Sequence, residues 1–574
     1  MRKLVFDIEA NGFKPTEIHC IVAIDVDTNE QYVYRSDDGT LNGFKELLEL
    51  GSYNLIGHNI LGYDVPVLER LSKINFTGHE LTDTLVMSRL ANPSRDGGHS
   101  LANLSGCKGE HSDFSKISDA MVDYCIQDVK ANILVYKRLL NELKGFSPEC
   151  IALEHDVQKI VQRQIKHGWL LDQRWAFELL GKLKQRMMEL EDEVRLKFKP
   201  MPIFVKEVEP KYKKDGTMST VGLQFLGDNW VTVGGKFSRI EWPEFNLGSR
   251  RQIGKYLMAF GWKPTKHTDT GQPIVDEKVL GEVKGIPEAT MIAEFLLVQK
   301  RIAQVTSWLD ALDEDDGRVH GYVNTNGAVT GRMTHSSPNM AQVPAVYSEY
   351  GEDCRSCWIV PKGFKLVGAD ASGLELRMLA HYMNDPDYTK EILHGDIHTA
   401  NQRAAGLDTR DQAKTFIYAF LYGAGDAKIG SIVGGTAQDG KRLKDKFLRN
   451  TPSLGKLREN VSRASGRGYL VGLDGRKVFV RSEHAALNTL LQSAGAIVMK
   501  KALTILDEYA KLWGITYEFL GNIHDEWQVE VREDQADQFG RLATASIEAA
   551  GIQFNMRCPL AGDYKVGDTW AQTH

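Results

Sequence analysis

The chain has 574 residues and a formal net charge of -6, with 42% hydrophobic and 25% charged residues. That length is more than one hydrophobic core usually serves, so we expect several domains. The mean hydropathy of -0.31 is typical of a soluble globular protein, and no apolar stretch is expected to be long enough to span a bilayer. The first residues leave no room for a signal peptide, because residues 3–7 already resemble a strand that delivers an acidic residue.

Cysteine spacing and local charge narrow the possible classes further. The seven cysteines have no dense pattern, which predicts free thiols in a reducing compartment, and Cys354 with Cys357 is a lone pair better explained as incidental than as a zinc site. Residues 441–468 carry nine Lys or Arg against two acids, and residues 197–214 carry six Lys against two acids. Such patches are typical of a DNA-binding channel, although solvated helix faces explain them equally well when they are taken alone.

Residues 1 to about 140 alternate short apolar strands with helical stretches, which indicates an α/β domain. Lys3–Ile8 and Ile18–Asp25 are predicted to form a hairpin, and Tyr53–Ile60 a further strand. Asp119–Leu143 is predicted to form a long helix. A glycine and a proline within residues 144–148 mark a domain boundary.

Beyond that boundary the pattern is mainly helical. Residues 198–245 interrupt it with short strands and loops, as an insertion into a helical region would. The predicted elements are helices at Ile151–His167 and Trp175–Phe198, a strand at Lys365–Ala369, a helix from Ser372 to His381, a helical block from Asp411 to Arg467, a helix around Ala485–Leu506 and a strand–turn–strand at Tyr517–Val531.

Two sets of carboxylates accompany these elements. The upstream set is Asp7, Glu9, Asp64 and Asp128, and the downstream set is Asp370, Asp525 and Glu526. Carboxylates at the ends of apolar runs are costly to desolvate unless a cation lies between them. Oxygen ligands with open positions suit Mg²⁺, and paired Mg²⁺ ions suit in-line attack at phosphorus. The sequence therefore predicts two magnesium centres on one chain.

The segment between the downstream acids places two cations and two aromatic rings on one helix face. Steps of four residues rotate by about 400° each, so the series drifts by only about 120° in total. The series is Arg410, Lys414, Tyr418 and Tyr422. This face suits a nucleoside triphosphate, with phosphates on the cations and the base or sugar near the rings. Alone it would often be a chance pattern, but its position between two acidic motifs indicates a nucleotide site.

These motifs resemble those of the family A (Pol I) DNA polymerases. Residues 370–377 resemble motif A, residues 410–423 motif B and residues 523–526 motif C. Thr330-Gly-Arg332 resembles the segment before the palm, and Asn488 with Gln492 a helix that touches duplex DNA. The resemblance covers nearly the whole chain and is greatest toward the replicative polymerases of T-odd, short-tailed bacteriophages.

The resemblance implies a role for each downstream residue. Asp370 and Asp525, with the backbone carbonyl of Ala371, would bind two Mg²⁺ ions, for which Mn²⁺ can substitute, and Glu526 would support them. Arg410, Lys414 and His398 would bind phosphates, and Lys414 would also protonate the leaving group. Glu375 would exclude a 2′-hydroxyl, Tyr418 would allow ready acceptance of dideoxynucleotides, and Tyr422 would stack near the templating base.

The resemblance also implies contacts with DNA. Minor-groove contacts would be made by Arg332, Asn488 and Gln492, and His524 would contact the primer end.

The upstream acids resemble the metal site of DnaQ-like 3′–5′ exonucleases. Asp-x-Glu at 7–9, Asn-x-x-x-Tyr-Asp at 59–64 and Tyr-x-x-x-Asp at 124–128 follow one another in the order of that family. The resemblance implies that the four carboxylates bind two Mg²⁺ ions and that Tyr124 orients the attacking water. A decayed exonuclease fold is the alternative, and the presence of all four acids argues against it.

We therefore predict a multidomain α/β and α+β protein. Residues 1–145 would form an RNase H-like (DnaQ-type) 3′–5′ exonuclease domain, and residues 146–574 a right-hand polymerase domain. The thumb would span about 175–315 with an insertion at about 198–245, and the fingers about 385–470. The palm would be the remainder, including 365–380 and 475–574.

The predicted activity is replicative, template-directed DNA synthesis with 3′–5′ proofreading, in the cytoplasm of an infected bacterium. Implied partners are primer–template DNA, deoxynucleoside triphosphates, a phage helicase-primase and a single-stranded DNA-binding protein, with no membrane. Host thioredoxin binding at residues 198–245 is an open hypothesis, because that insertion is short and matches poorly.

Three alternative functions remain at this point. A single-subunit RNA polymerase is disfavoured by Glu375 and the upstream acids, and a non-catalytic DNA-binding scaffold would not need seven placed carboxylates. A bacterial repair polymerase is disfavoured by the complete exonuclease set and the lack of a 5′-nuclease domain.

Overall fold

A computed structural model describes residues 1–107, 113–209, 211–217 and 236–573. By their contacts the residues divide into two units, Met1–Asp172 with Ala311–His574, and Gln173–Asp310. Within the predicted insertion, residues 210 and 218–235 lie outside the described residues.

The N-terminal part of the first unit is built on a five-stranded sheet of order β3-β2-β1-β4-β5. The strands are β1 (Arg2–Ala10), β2 (Ile18–Asp25), β3 (Gln31–Arg35), β4 (Tyr53–Gly57) and β5 (Glu80–Asp83). The first three pair antiparallel, whereas β4 runs parallel to both β1 and β5. The predicted hairpin of β1 and β2 is confirmed, and the predicted strand from Tyr53 ends three residues earlier than expected.

Side-chain alternation along β1 separates two apolar cores. Leu4 and Phe6 belong to one core and Val5 to the other, so Asp7 and Glu9 lie on the face of Val5. The helix Asp119–Glu142 covers that face and begins where Ser118 Oγ accepts from the Met121 N–H at 3.1 Å. The helices of this part are Asn42–Glu49, Asp64–Leu71, Thr84–Ala91, Leu101–Ser105, Asp119–Glu142 and Pro148–His167.

The C-terminal part of the first unit contains two four-stranded sheets. The strands after β5, including β7 and β8 of the second unit, are β6 (Trp169–Leu171), β7 (Ile203–Val208), β8 (Phe237–Glu241), β9 (Leu312–Asp313), β10 (Arg318–Val319), β11 (Tyr322–Asn324), β12 (Thr334–Ser336), β13 (Trp358–Ile359), β14 (Phe364–Ala371), β15 (Tyr469–Val471), β16 (Lys477–Phe479), β17 (Tyr517–Ile523), β18 (Glu526–Arg532) and β19 (Gly562–Gly567). One sheet is antiparallel and has the order β17-β18-β14-β19. The other has the order β13-β6-β10-β9.

The helices of this part confirm the predicted helical stretches. They are Gly351–Ser356, Leu374–Met383, Pro386–His394, Ile397–Ala405, Arg410–Leu421, Asp426–Ser431, Ala437–Asn450, Pro452–Ser465, Ala486–Leu512 and Ala536–Gln553. Val367 and Ala369 of β14 share one apolar core with the last two helices, so Asp370 lies on the opposite face of β14, together with the buried Leu366.

One expectation about hydropathy is wrong. Among the described residues, the helical stretch Glu483–Leu512 is long and apolar enough, by length and composition, to cross a membrane. The structure shows why it is so apolar: 83% of its most apolar window is buried inside the protein. A helix that is apolar on all sides commonly serves as the centre of a large core.

The second unit is mainly helical. Within its described residues the helices are Gln173–Lys197, Arg250–Ala259, Glu277–Gly281 and Pro287–Asp310. Arg186 of the first of these pairs with Glu294 of the last, with 2.7 Å between Nε and Oε1. The predicted break after Phe198 is confirmed, because β7 and β8 follow there as a pair of antiparallel strands.

Candidate active sites

The structure brings the downstream acids together at one end of the antiparallel sheet. Asp370, near the end of β14, is the cross-strand partner of Glu526 on β18. The turn between β17 and β18 consists of His524 and Asp525, and His524 adopts a φ of +58°. The Ala371 N–H donates to the Asp525 carbonyl at 3.0 Å. This bond joins the ends of motifs A and C and places the two predicted metal ligands beside each other.

The charge environment of Asp525 suits a cation. Burial raises the pKa of Asp525, while the nearby Arg332 and His524 oppose that shift. Burial also lowers the pKa of His524, and the positive charge of Arg332 lowers it further. A carboxyl group whose ionised form is disfavoured by burial gains most from a bound divalent ion, and oxygen donors of this kind fit Mg²⁺.

The motif B helix (Arg410–Leu421) carries the predicted nucleotide residues on one side. It starts with a capping box between Thr409 and Gln412. Arg410 and Lys414 are exposed, and Tyr418 is half-buried. Tyr422 is exposed as well, so three of the four residues of the predicted stripe are accessible to a ligand, whereas Tyr418 also packs against the core.

Glu375 joins the motif B helix to the segment before the palm. Its Oε1 accepts from the Tyr422 hydroxyl at 2.7 Å and lies 3.4 Å from Arg332 Nη2. Burial raises the pKa of Tyr418, and the charges of Glu375 and Asp525 add to that shift. The ring of His398 lies 6.3 Å from that of Tyr418, between centroids. These predicted residues form one cluster around the motif A acids.

Asn488 and Gln492 stand on a different element, the helix Ala486–Leu512. Between residues 486 and 500 they are the two half-buried positions, and every other residue in that stretch is buried. The predicted pair therefore marks the accessible positions in the otherwise buried first half of this helix.

The upstream acids also converge. Asp7 and Glu9 project from β1, and the intervening Ile8 N–H donates to Asp64 Oδ1 at 3.2 Å. Tyr124 donates to Asp128 one turn further along the helix Asp119–Glu142. All four predicted acids are thereby gathered on one side of β1, with Tyr124 beside them.

Burial of these four acids makes their ionisation costly. It raises the pKa of Asp7 well above its usual value, that of Glu9 to about 8 and that of Asp64 to about 7, and it also raises the pKa of Asp128. Repulsion among the carboxylates adds to the shifts of Asp7 and Glu9. Buried like charges of this kind fit a site for divalent cations, since cations remove both penalties.

Comparison with known proteins identifies the family. The family described as DNA polymerase family A matches residues 229–572. Over the full length of both chains, the sequence is 36% identical to the DNA-directed DNA polymerase of Enterobacteria phage T3 and 35% identical to that of Escherichia phage T7. The chain belongs to DNA polymerase family A. Its predicted resemblance to the polymerases of T7-like phages is thereby confirmed.

A solved structure shares the fold of this family A chain. The POL domain of Pol1 from M. smegmatis, in complex with DNA primer-template and dNTP, aligns with a TM-score of 0.76 at 19% identity. The alignment covers 99% of this chain and 96% of that one. The multidomain α/β architecture that the sequence predicts is therefore the family A architecture.

Three contacts of the family A chain were not predicted from the sequence. Asp396 pairs with Arg410, with 2.6 Å between Oδ2 and Nε. Trp570 Nε1 donates to Glu526 Oε1 at 3.0 Å, and Gln528 donates to the same oxygen. Of these contacts, only the one of Asp396 involves a residue that the sequence could have singled out, because an acid at the N-cap of a helix is a recognisable pattern.

Two residues of the upstream site were also missed. Cys125 Sγ lies 3.7 Å from Asp7 Oδ2, and Asp7, Glu9 and Cys125 offer ligand atoms within 4.8 Å of one another. Asp83 is buried and caps the helix Thr84–Ala91. An acid before an apolar helix signals a cap, but its relation to Asp64 required the tertiary structure.

Proposed function

We propose that this family A chain is a replicative, DNA-dependent DNA polymerase with a 3′–5′ proofreading exonuclease. The bond between the Ala371 N–H and the Asp525 carbonyl carries the proposal for synthesis, because it sets Asp370 and Asp525 beside each other. The phage relatives are named DNA-directed DNA polymerases, and the structure of similar fold holds primer-template and dNTP. These findings support the same substrates here, in the cytoplasm of an infected host.

In the proposed synthesis reaction, Asp370 and Asp525, with the Ala371 carbonyl, hold two Mg²⁺ ions, for which Mn²⁺ substitutes. Such ions, when bound, lower the pKa of an attacking hydroxyl and neutralise charge on the phosphates. Arg410 and Lys414 bind the triphosphate, and Lys414 donates a proton to the departing pyrophosphate.

The remaining downstream residues orient the substrates. Glu375, held by Tyr422, closes the sugar side of the site against a 2′-hydroxyl. His398 adds a phosphate contact, and Tyr422 lies near the templating base. Arg332, Asn488 and Gln492 contact the minor groove, where acceptors are present in every correct base pair, and His524 contacts the primer end.

The upstream cluster is proposed to excise nucleotides. The two Mg²⁺ ions of this centre would be held by Asp7, Glu9, Asp64 and Asp128. Tyr124, whose hydroxyl is held at Asp128, orients the attacking water. The observation that carries this assignment is the clustering of four acids that are buried or half-buried, which suits bound cations.

Primer extension tests the assignment of synthesis. A primed single-stranded template, Mg²⁺ and four dNTPs should give full-length product with wild type. Asp370→Ala and Asp525→Asn should each lower the extension rate by at least about 10³-fold, because a metal ligand is lost. Glu508→Ala, at an exposed acid of the helix Ala486–Leu512, is the control and should extend normally. Wild-type rates for Asp370→Ala would overturn the assignment.

Removal of mismatched primer ends tests the exonuclease. Asp7→Ala combined with Glu9→Ala should abolish excision and leave extension of matched primers intact. Exposed Glu49 supplies the control variant Glu49→Ala. Continued excision by the double variant would place the activity elsewhere.

For processivity we propose that host thioredoxin binds the insertion at residues 198–245. The side chains of Phe204 on β7 and Ile240 on β8 are 61% and 51% exposed, and that of Trp242, just after β8, is 64% exposed. Exposed apolar clusters of this kind often mark protein interaction sites. A helicase-primase and a single-stranded DNA-binding protein are proposed as further partners, from the likeness to phage replication proteins alone.

Extension of a long single-stranded template tests this partner. Thioredoxin should lengthen wild-type products and should have no effect on the variant Phe204→Ser with Trp242→Ser. If the lysines of residues 197–214 contact DNA directly instead, the products will become shorter as the salt concentration rises, and thioredoxin will not change their length.

A further inference from the structure

The helix Pro148–His167, here called the connecting helix, makes buried polar contacts in two directions. Its buried polar side chains are Glu154, His155, Gln158 and Gln164. Gln164 contacts Asn522 beside motif C, and Glu154 contacts two cations of neighbouring segments. His155 contacts Asp83, near the upstream acids. Buried polar groups are retained in a core only with partners, so these contacts hold the surrounding segments in defined positions.

On the upstream side, His155 accepts the backbone N–H of Asp83 at its Nε2, with a separation of 2.9 Å. Its Nδ1 lies 2.8 Å from the Ile151 carbonyl in the preceding turn. That carbonyl can only accept, so Nδ1 carries the proton and Nε2 is the acceptor. His155 therefore fixes the end of β5 from outside the five-stranded sheet.

Asp83 in turn holds the loop that leads to Asp64 through two hydrogen bonds. Its Oδ1 accepts the Asn59 N–H at 2.9 Å, and its Oδ2 accepts the Leu61 N–H at 3.1 Å. The connecting helix also approaches this loop directly: a Cβ added at Gly62 would lie 3.2 Å from Gln162 Nε2. Asp64 follows two residues later and begins its helix.

On the other side, the same helix contacts the strand that leads to motif C and two buried cations. Gln164 Oε1 accepts from the side-chain amide of Asn522, two residues before His524. Glu154 Oε1 accepts from Lys500 Nζ and from Arg476 Nη1, each at 2.6 Å. Gly331 packs on that guanidinium, since a Cβ there would lie 3.1 Å from Arg476 Nη1.

We propose that His155 is a positioning residue of the exonuclease centre and that Gln164 is its counterpart for the polymerase centre. This rests on the proposed exonuclease function. His155 acts through Asp83 and the loop at 59–61 on Asp64, and touches neither metal nor substrate. Ligands of a metal centre need outer partners to hold their orientation, and loss of such a partner commonly costs 10–100-fold in affinity or activity.

The two residues offer a matched pair of variants. His155→Leu and Gln164→Leu each replace a buried polar side chain with an apolar one, on one helix, nine residues apart. Plain loss of stability would lower both activities in both variants. Positioning predicts opposite effects: about tenfold slower excision of a single-stranded oligonucleotide for His155→Leu, and slower primer extension for Gln164→Leu, with the other activity within about twofold of wild type.

Two further readouts keep the test decisive. His155→Leu should raise the Mg²⁺ concentration for half-maximal excision, and His155→Gln, which returns an acceptor near the position of Nε2, should recover most of the excision rate. Amide hydrogen exchange, measured without metal, should quicken at residues 57–64 and 80–86 in His155→Leu and at residues 517–526 in Gln164→Leu.

Unchanged excision and Mg²⁺ dependence in His155→Leu would overturn the inference, as would equal losses of both activities in both variants. If wild type and the Asp7→Ala, Glu9→Ala variant excise equally, the proposed exonuclease fails instead. Hydrogen exchange would then still decide whether His155 holds the loop at 59–61.

Discussion

At the scale of single residues, the candidate nucleotide site is held by shared partners. Arg410 is paired with Asp396, and Glu375 is shared by Tyr422 and Arg332. Lys414 differs, since it is exposed and no ion pair of its ammonium is found within the described ranges. A triphosphate could therefore bind Lys414 directly, whereas Arg410 would first have to leave the carboxylate of Asp396. Breaking that ion pair costs little free energy because the pair is exposed.

Tyr418 gives a prediction about sugar discrimination. Tyr418→Phe removes a half-buried phenol hydroxyl close to Glu375 and Asp525. We expect wild type to accept dideoxynucleotides readily and the variant to discriminate against them by at least about 100-fold, which corresponds to about 3 kcal/mol. Chain termination at fixed ratios of dideoxynucleotide to dNTP measures this. Equal, strong discrimination in both proteins would contradict it.

Lys500 gives a prediction about pH. Burial lowers its pKa to about 8, against the raising effect of Glu154, and Arg476 lowers it further. Between pH 8 and the ordinary value of 10.5, folded Lys500 has lost a proton that the unfolded chain retains, so the free energy of unfolding rises with pH in that window. Relative to Lys500→Met, wild type should gain on the order of 2–3 kcal/mol from pH 7.5 to 10.5.

Urea unfolding at several pH values measures the Lys500 effect. Lys501→Met, at the neighbouring and less buried position, serves as the control. A difference between wild type and Lys500→Met that does not change with pH would contradict the prediction.

At the scale of elements, the C-terminal turn supports the motif C hairpin. Trp570 stacks on Trp169 at 4.7 Å between ring centroids, and its indole N–H donates to Glu526. Thr573 donates to Gln528 at 2.7 Å. Glu526 is thus tied to the chain end while its neighbour Asp525 faces the site, which agrees with a supporting role for Glu526.

Trp570→Phe tests that support. The ring stays large enough to pack on Trp169, but the bond to Glu526 is lost. We expect primer extension to slow by about tenfold, as for other outer partners of a metal centre, while excision is retained. Trp513→Phe, at a tryptophan that is 51% exposed, is the control. Normal extension by Trp570→Phe would show that Glu526 needs no such anchor.

Element boundaries show where sequence patterns suffice. The helix Asp119–Glu142 and the hairpin of β1 and β2 lie where periodicity predicted them, because local alternation and caps set their ends. The helix around Ala485–Leu506 is confirmed, but the expectation that no apolar stretch is long enough to span a bilayer is wrong for Glu483–Leu512, which is apolar because the fold buries it.

At the scale of the whole molecule, the chain leaves the first unit at Asp172 and re-enters it at Ala311. Both points adjoin strands of one small sheet, β6 and β9, which are separated only by β10. The first unit also contains both carboxylate clusters. This arrangement predicts that the second unit is needed for holding DNA and not for chemistry.

Replacing Gln173–Asp310 with a short Gly-Ser linker tests this division. The shortened chain should still unfold cooperatively, insert single nucleotides and excise them. Its products on a long template should shorten several-fold in the presence of trap DNA, because the proposed thumb is gone. Failure to insert any nucleotide, in a chain that unfolds cooperatively, would show that the second unit belongs to the catalytic machinery.

The sequence by itself determined the acids, the motif B stripe and the family, because these depend on residue identity and local spacing. Only the tertiary structure decided which contacts support them. These are the hydrogen bond from Trp570 to Glu526, the ion pair of Asp396 with Arg410, and the hydrogen bond from the Asp83 N–H to His155. His155 and Asp83 are 72 residues apart, and no local pattern records such a contact. It exists because burial leaves each polar group only the partner that the fold brings to it.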